Sequence, residues 1–124
     1  MKNVTMTKPM RINKKSLTAA VRLIEVASGG YASPSRLEPH ILSLSDEIIK
    51  DMWALMYLGR NRPLDMVFGM TVNEGFAAYK AEARSNAKRG VTDMAVHIAS
   101  KSIKLHEYLE EGLRLIGRGD LIDN

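Results

Sequence analysis

The run His106-Glu107-Tyr108-Leu109-Glu110 comes nearer to a catalytic spacing than any other in the chain. Metal-dependent hydrolases of the zincin type place two histidines four residues apart on one helical face, with a glutamate after the first as general base. Here Glu110 takes the second ligand position. A third ligand must come from elsewhere, and His97 can reach the site if positions 97 and 106 lie on an antiparallel helical hairpin. His97, His106 and Glu110 would then form a metal-binding or enzymatic centre. The same stretch also reads as a solvated helix face. Glu110 and Arg114 make a favourable i, i+4 pair, whereas Glu107 and Glu111 repel one another.

Other chemistries find less support. The chain has no cysteine, which removes disulfides, thiolate nucleophiles and cysteine-ligated zinc. No serine sits in a G-x-S-x-G elbow. Gly29-Gly30 and Gly117-Arg118-Gly119 match neither a phosphate-binding loop nor a dinucleotide fingerprint, and both read as helix stops. Arg118-Gly119-Asp120 spells an integrin-binding tripeptide, which we take as a chance occurrence. No catalytic residue, cofactor or metal ligand is assigned with these residues, and an enzyme is not expected.

Charge points elsewhere. Eighteen basic residues against 14 acidic ones leave a net charge of +4, unevenly placed. Lys2, Lys8, Arg11, Lys14 and Lys15 make an N-terminal stretch without an acid. Lys80, Arg84 and Lys88 recur every fourth residue and, with Arg89, form a basic ridge if the segment is helical. Such a ridge can neutralise phosphates and bind nucleic acid without sequence preference. It is equally the pattern of a solvated helix face. Aromatic content of only 6% speaks against a base-stacking surface for single strands.

Eight methionines offer adaptable apolar surface. Met52 and Met56 belong to a strongly apolar helix and are expected inside. Met66, Val67, Phe68 and Met70 are harder to bury together, and an exposed patch there would meet a protein partner or a second copy.

The elements that must position these residues read as helices almost throughout. Leu17, Ala20, Val21, Ile24 and Ala27 mark a first helix, capped by Asn13 or Ser16 and stopped by Gly29-Gly30. Residues 31–39 read as a loop, because Pro34 and Pro39 restrain the residues before them. Ser43 or Ser45 caps a central helix that Gly59 ends, with Pro63 opposing any continuation. Residues 64–70 form a short helix or a packed connector. Further helices run from Thr71 or Asn73 to Lys88, from Thr92 through Ala99, and from about Ile103 to Ile116. Gly112 lets a neighbouring helix approach closely.

The reading is an all-α fold: a single compact bundle of about five helices over residues 13–119, without a sheet. Residues 1–12 form a flexible basic arm and residues 120–124 a C-terminal tail. No apolar run approaches the ~20 residues of a membrane span. No apolar leader follows Lys2, so a cytoplasmic bacterial protein is expected.

Two segments also carry a resemblance. Asp46-Glu47-Ile48-Ile49 with Ala54-Leu55-Met56-Tyr57-Leu58-Gly59-Arg60 resembles the acidic lead-in and L-M-W-(I/L)-G-R-G segment of a family of small proteobacterial proteins of unknown function. Leu109-Glu110-Glu111-Gly112-Leu113, followed by Ile116-Gly117, is similar to that family's L-E-E-G-L ending. Tyr57 stands where the family usually has tryptophan, and Asn61-Arg62-Pro63 replaces its usual Gly-Asp turn. The resemblance spans roughly residues 13–117 and implies a compact helical domain, with no activity or cofactor attached. Two functions follow as expectations: a non-catalytic module that binds a protein partner or itself, and a nucleic-acid-binding accessory protein. The metal centre stands third.

Overall fold

A computed structural model describes residues 12–28, 33–88 and 90–123. Six helices follow in order: α1 (Lys14–Ser28), α2 (Pro34–Leu42), α3 (Asp46–Val67), α4 (Val72–Ala87), α5 (Thr92–Ala99) and α6 (Ser102–Leu115). A 3-10 turn, Gly119–Leu121, closes the chain, and no strand occurs among the described residues. The fold is all-α, a helical bundle built around α3. That helix packs most extensively on α6 and α4, while α1 lies on α6 and α2 on α5.

Local chemistry explains where most helices begin. Asn13 Oδ1 accepts from the Lys15 amide at 2.8 Å and opens α1. Ser45 Oγ accepts from the Ile48 amide at 3.3 Å and opens α3, whose first turn carries Asp46 and Glu47 against the helix dipole. Thr71 and Glu74 form a reciprocal capping box at α4, with bonds of 3.1 and 2.9 Å.

Two sequence expectations are corrected. Residues 34–42 are helix rather than loop. Pro34 stands at the start of α2, where its missing N–H would have no partner anyway, and Leu37 and Ile41 are fully buried one turn apart. Burial of those two side chains outweighs the hydrogen bond lost at Pro39. Likewise α3 continues through Gly59 and Pro63 to Val67, so residues 64–67 extend the central helix.

Gly59 is not a stop but a crossing point. A Cβ there would collide with the Tyr108 carbonyl oxygen and lie 2.9 Å from the Gly112 nitrogen. A Cβ on Gly112 would collide in turn with the Leu55 carbonyl oxygen. Leu55 thus faces Gly112 and Gly59 faces Tyr108, so α3 and α6 run antiparallel and nearly touch backbone to backbone. Ile49, Met52, Leu55, Met56 and Leu58 fill the core around this crossing, together with Leu105 and Leu109 of α6, all fully buried. Met52 and Met56 lie inside as expected.

The C-terminal residues fold back onto the bundle. Leu121 and Ile122 pack against the core, and Arg114 donates two hydrogen bonds to Asp123, at 3.0 and 2.9 Å.

Candidate functional site

The basic ridge divides on inspection. Lys80 turns inward: its ammonium bonds Asp51 Oδ1 and lies 3.5 Å from Glu47 Oε2. Ser16 Oγ donates to the other oxygen of Asp51 at 2.5 Å. Asp51 is 4% exposed, so its charge needs both partners. This Ser16–Asp51–Lys80 cluster joins α1, α3 and α4. Ser16 is fully buried and spends its hydroxyl proton on the Asp51 carboxylate, so the cluster acts as a tie between helices. Arg84 on α4 and Lys88 at its C-terminal cap are exposed, and Arg89 lies outside the described residues. A three-cation phosphate ridge therefore loses its first member to the fold. Of the basic arm, only Ile12 among residues 1–12 is described.

The histidines do not form one centre. His106 Nδ1 lies 3.3 Å from Glu110 Oε2 along α6, and Glu110 also faces Arg114 at 3.7 Å. His97, on α5, belongs to an aromatic stack instead. Its ring lies 4.9 Å from that of Trp53, and its Nε2 is hydrogen-bonded to the Tyr57 hydroxyl. Among the described residues no group of three or more histidine, aspartate or glutamate side chains is placed to hold a metal ion. The proposed His97/His106/Glu110 centre is thus not assembled.

The stack continues to Tyr79, whose ring lies 5.8 Å from Tyr57. Trp53 Nε1 donates to Glu82 at 3.1 Å, and Tyr79 donates to the buried Asp65 at 2.8 Å. Burial pushes the His97 imidazole below its ordinary value; Lys101 and Arg60 add to this and Glu82 opposes it. Burial also raises the Tyr57 and Tyr79 phenols. The shift favours the neutral imidazole, which suits a packing contact between α3 and α5. A cleft of about 210 Å³ opens beside it, between Trp53, Asn86, Asp93, Met94 and His97.

The apolar segment behaves differently from both. Met66, Val67 and Phe68 are 62%, 77% and 77% exposed, and Leu64, one turn earlier, is 57% exposed. Met70 is half-buried. These residues cap the C-terminal end of α3. Gly69 ends the helix at φ +73°, with its amide on the Met66 carbonyl and the Met70 amide on the Asp65 carbonyl. That double bond pattern satisfies the last carbonyls and turns the chain sharply into α4. The only charged side chain within positions 64–70 is Asp65, and it is buried. The result is an apolar cap, with the Arg62 guanidinium at its edge donating to the Met70 carbonyl at 2.8 Å. Leu64 was missed in the sequence because the helix was expected to end at Gly59. Once α3 is continuous, its spacing of three and four residues from Val67 and Phe68 places all three together.

Comparison with protein-family models, with curated proteins and with solved structures finds no match to this chain. No described helix is long and apolar enough to cross a membrane.

Proposed function

We propose that this protein is a small non-catalytic interaction module that docks on a protein partner, or on itself, through the end of α3. One observation carries the reading. Leu64, Val67 and Phe68 leave three large apolar side chains in water on one side of the end of α3, with Met66 exposed beside them on the same turn. Exposed apolar patches of several hundred Å² on a monomer commonly mark interaction sites. Scattered exposed apolar residues, such as Ile103 on α6, do not have that meaning.

A photo-crosslinking amino acid at position 68 tests this, with the same group at position 103 as the control. Expected is a discrete crosslinked species of fixed stoichiometry from position 68 alone, in cells or in extract. Equal patterns from both positions, or none from position 68, would overturn the reading. The nucleic-acid alternative rests on Arg84 and Lys88 with the basic N-terminal arm, since Lys80 is held by Asp51. Such phosphate binding would weaken steeply with salt.

A further inference from the structure

A sizeable cavity lies away from the α3 cap. It is a groove of about 620 Å³ between α1 and the C-terminal turn, lined by Ile12, Leu17, Val21 and Leu121 with Lys14, Arg22 and Arg118 among the polar residues. That volume falls in the range of small-molecule sites, roughly 300–1,000 Å³. Its outer wall is held in place, because Arg114 clamps Asp123 and Leu121 packs on the core.

The charges around the groove have a sign. Arg118 is paired with Asp120 at 3.0 and 3.2 Å. Lys14 and Arg22 form no ion pair among the described residues, and both are exposed. Glu25 is the one carboxylate lining the groove. Lys14 and Arg22 stand two turns apart on α1, ~12 Å along its axis. Between them the wall is made by Leu17, Thr18 and Val21, and is uncharged.

From this combination we infer that the groove binds an amphipathic anion, a molecule with a carboxylate at one end of a slender apolar body. The body lies along Leu17, Val21 and Leu121, and the carboxylate meets Arg22 or Lys14 at the rim. A charged group at the rim stays partly hydrated, so the apolar contact supplies most of the affinity and the cations supply the selectivity. The inference is independent of the α3 cap.

The test is titration of the full chain with decanoate, decanol and decyltrimethylammonium, each below its micellar concentration, followed by backbone amide NMR. Expected is saturable binding of decanoate, with shifts concentrated at residues 14–25 and 118–121. Decanol should bind about tenfold more weakly, the loss of one charged contact, and the cationic probe more weakly still. Arg22→Glu should weaken decanoate by a similar factor, and Thr18→Trp, filling the groove from an exposed position, should abolish its binding. Equal affinity for all three probes, no binding of decanoate, or shifts centred on Leu64 to Phe68 would overturn the inference.

Discussion

The middle and the end of α3 are both apolar, yet they do opposite things. Around Leu55 and Gly59 the helix meets α6 so closely that neither glycine has room for a methyl group. Two turns later, at Leu64 to Phe68, the end of the same helix leaves large apolar side chains in solvent. The contrast shows that hydrophobicity alone does not mark a core. What marks it is a partner surface shaped to receive the helix, here supplied by Gly112. Where no described helix supplies such a surface, the apolar residues are left for something else to cover.

The largest effect is expected at the crossing. Gly112→Ala should destabilise the fold by about 2–3 kcal/mol in urea unfolding, because backbone must move to admit the Cβ. Without that collision, alanine in a helix would stabilise by up to ~1 kcal/mol. A more stable Gly112→Ala protein would therefore break the comparison at its buried side.

Next comes the cluster that ties three helices together. Asp51→Ala leaves Ser16 unpaired and Lys80 with only Glu47, and should cost about 2 kcal/mol. A double-mutant cycle with Lys80→Ala should show coupling. Additive losses would mean that Lys80 is free to serve the basic ridge after all.

A smaller effect is expected from pH. The folded protein holds His97 below its ordinary value of 6.5, so the unfolded chain takes up the proton first on acidification. Stability attached to His97 is complete above that ordinary value and declines as pH falls through it toward the lower folded value. His97→Gln should flatten the curve in that window. It should leave untouched the further loss at lower pH, where Asp120 and Asp123 are held down by Arg118 and Arg114. A wild-type curve with no slope below 6.5 would count against a half-buried His97 held below its ordinary value.

The smallest effect on stability belongs to the cap. Val67→Glu with Phe68→Glu should change the unfolding free energy by no more than about 0.5 kcal/mol, as for exposed positions generally.

Much of the fold was legible in the sequence. The all-α architecture followed from periodicity, and Asn13, Ser45 and Thr71 announced their helices through side-chain chemistry local to each start. Gly112 was expected at a close helix contact, and there it lies. Its counterpart Gly59 was misread because a glycine at a helix stop and one at a helix crossing look alike until the neighbour is known. Pro39 and Pro63 were misread for a related reason: local cost is visible in a sequence, but the burial of Leu37 and Ile41 that offsets it is not. The Lys80 ridge shows the same limit. A spacing of four places three cations on one face without saying that Asp51 waits beneath the first of them. The apolar cap was partly legible at Met66 to Met70, since a helix end must pack or be exposed, and Leu64 joined it only once α3 was seen to be continuous.

The sharpest test of the division along α3 is sedimentation of fluorescently labelled protein in extract of its source cells, wild type beside the Val67→Glu, Phe68→Glu variant. Expected is a discrete larger species for the wild type and a free 13.8 kDa monomer for the variant, with both equally folded. Identical sedimentation of the two proteins would contradict a docking role for the end of α3.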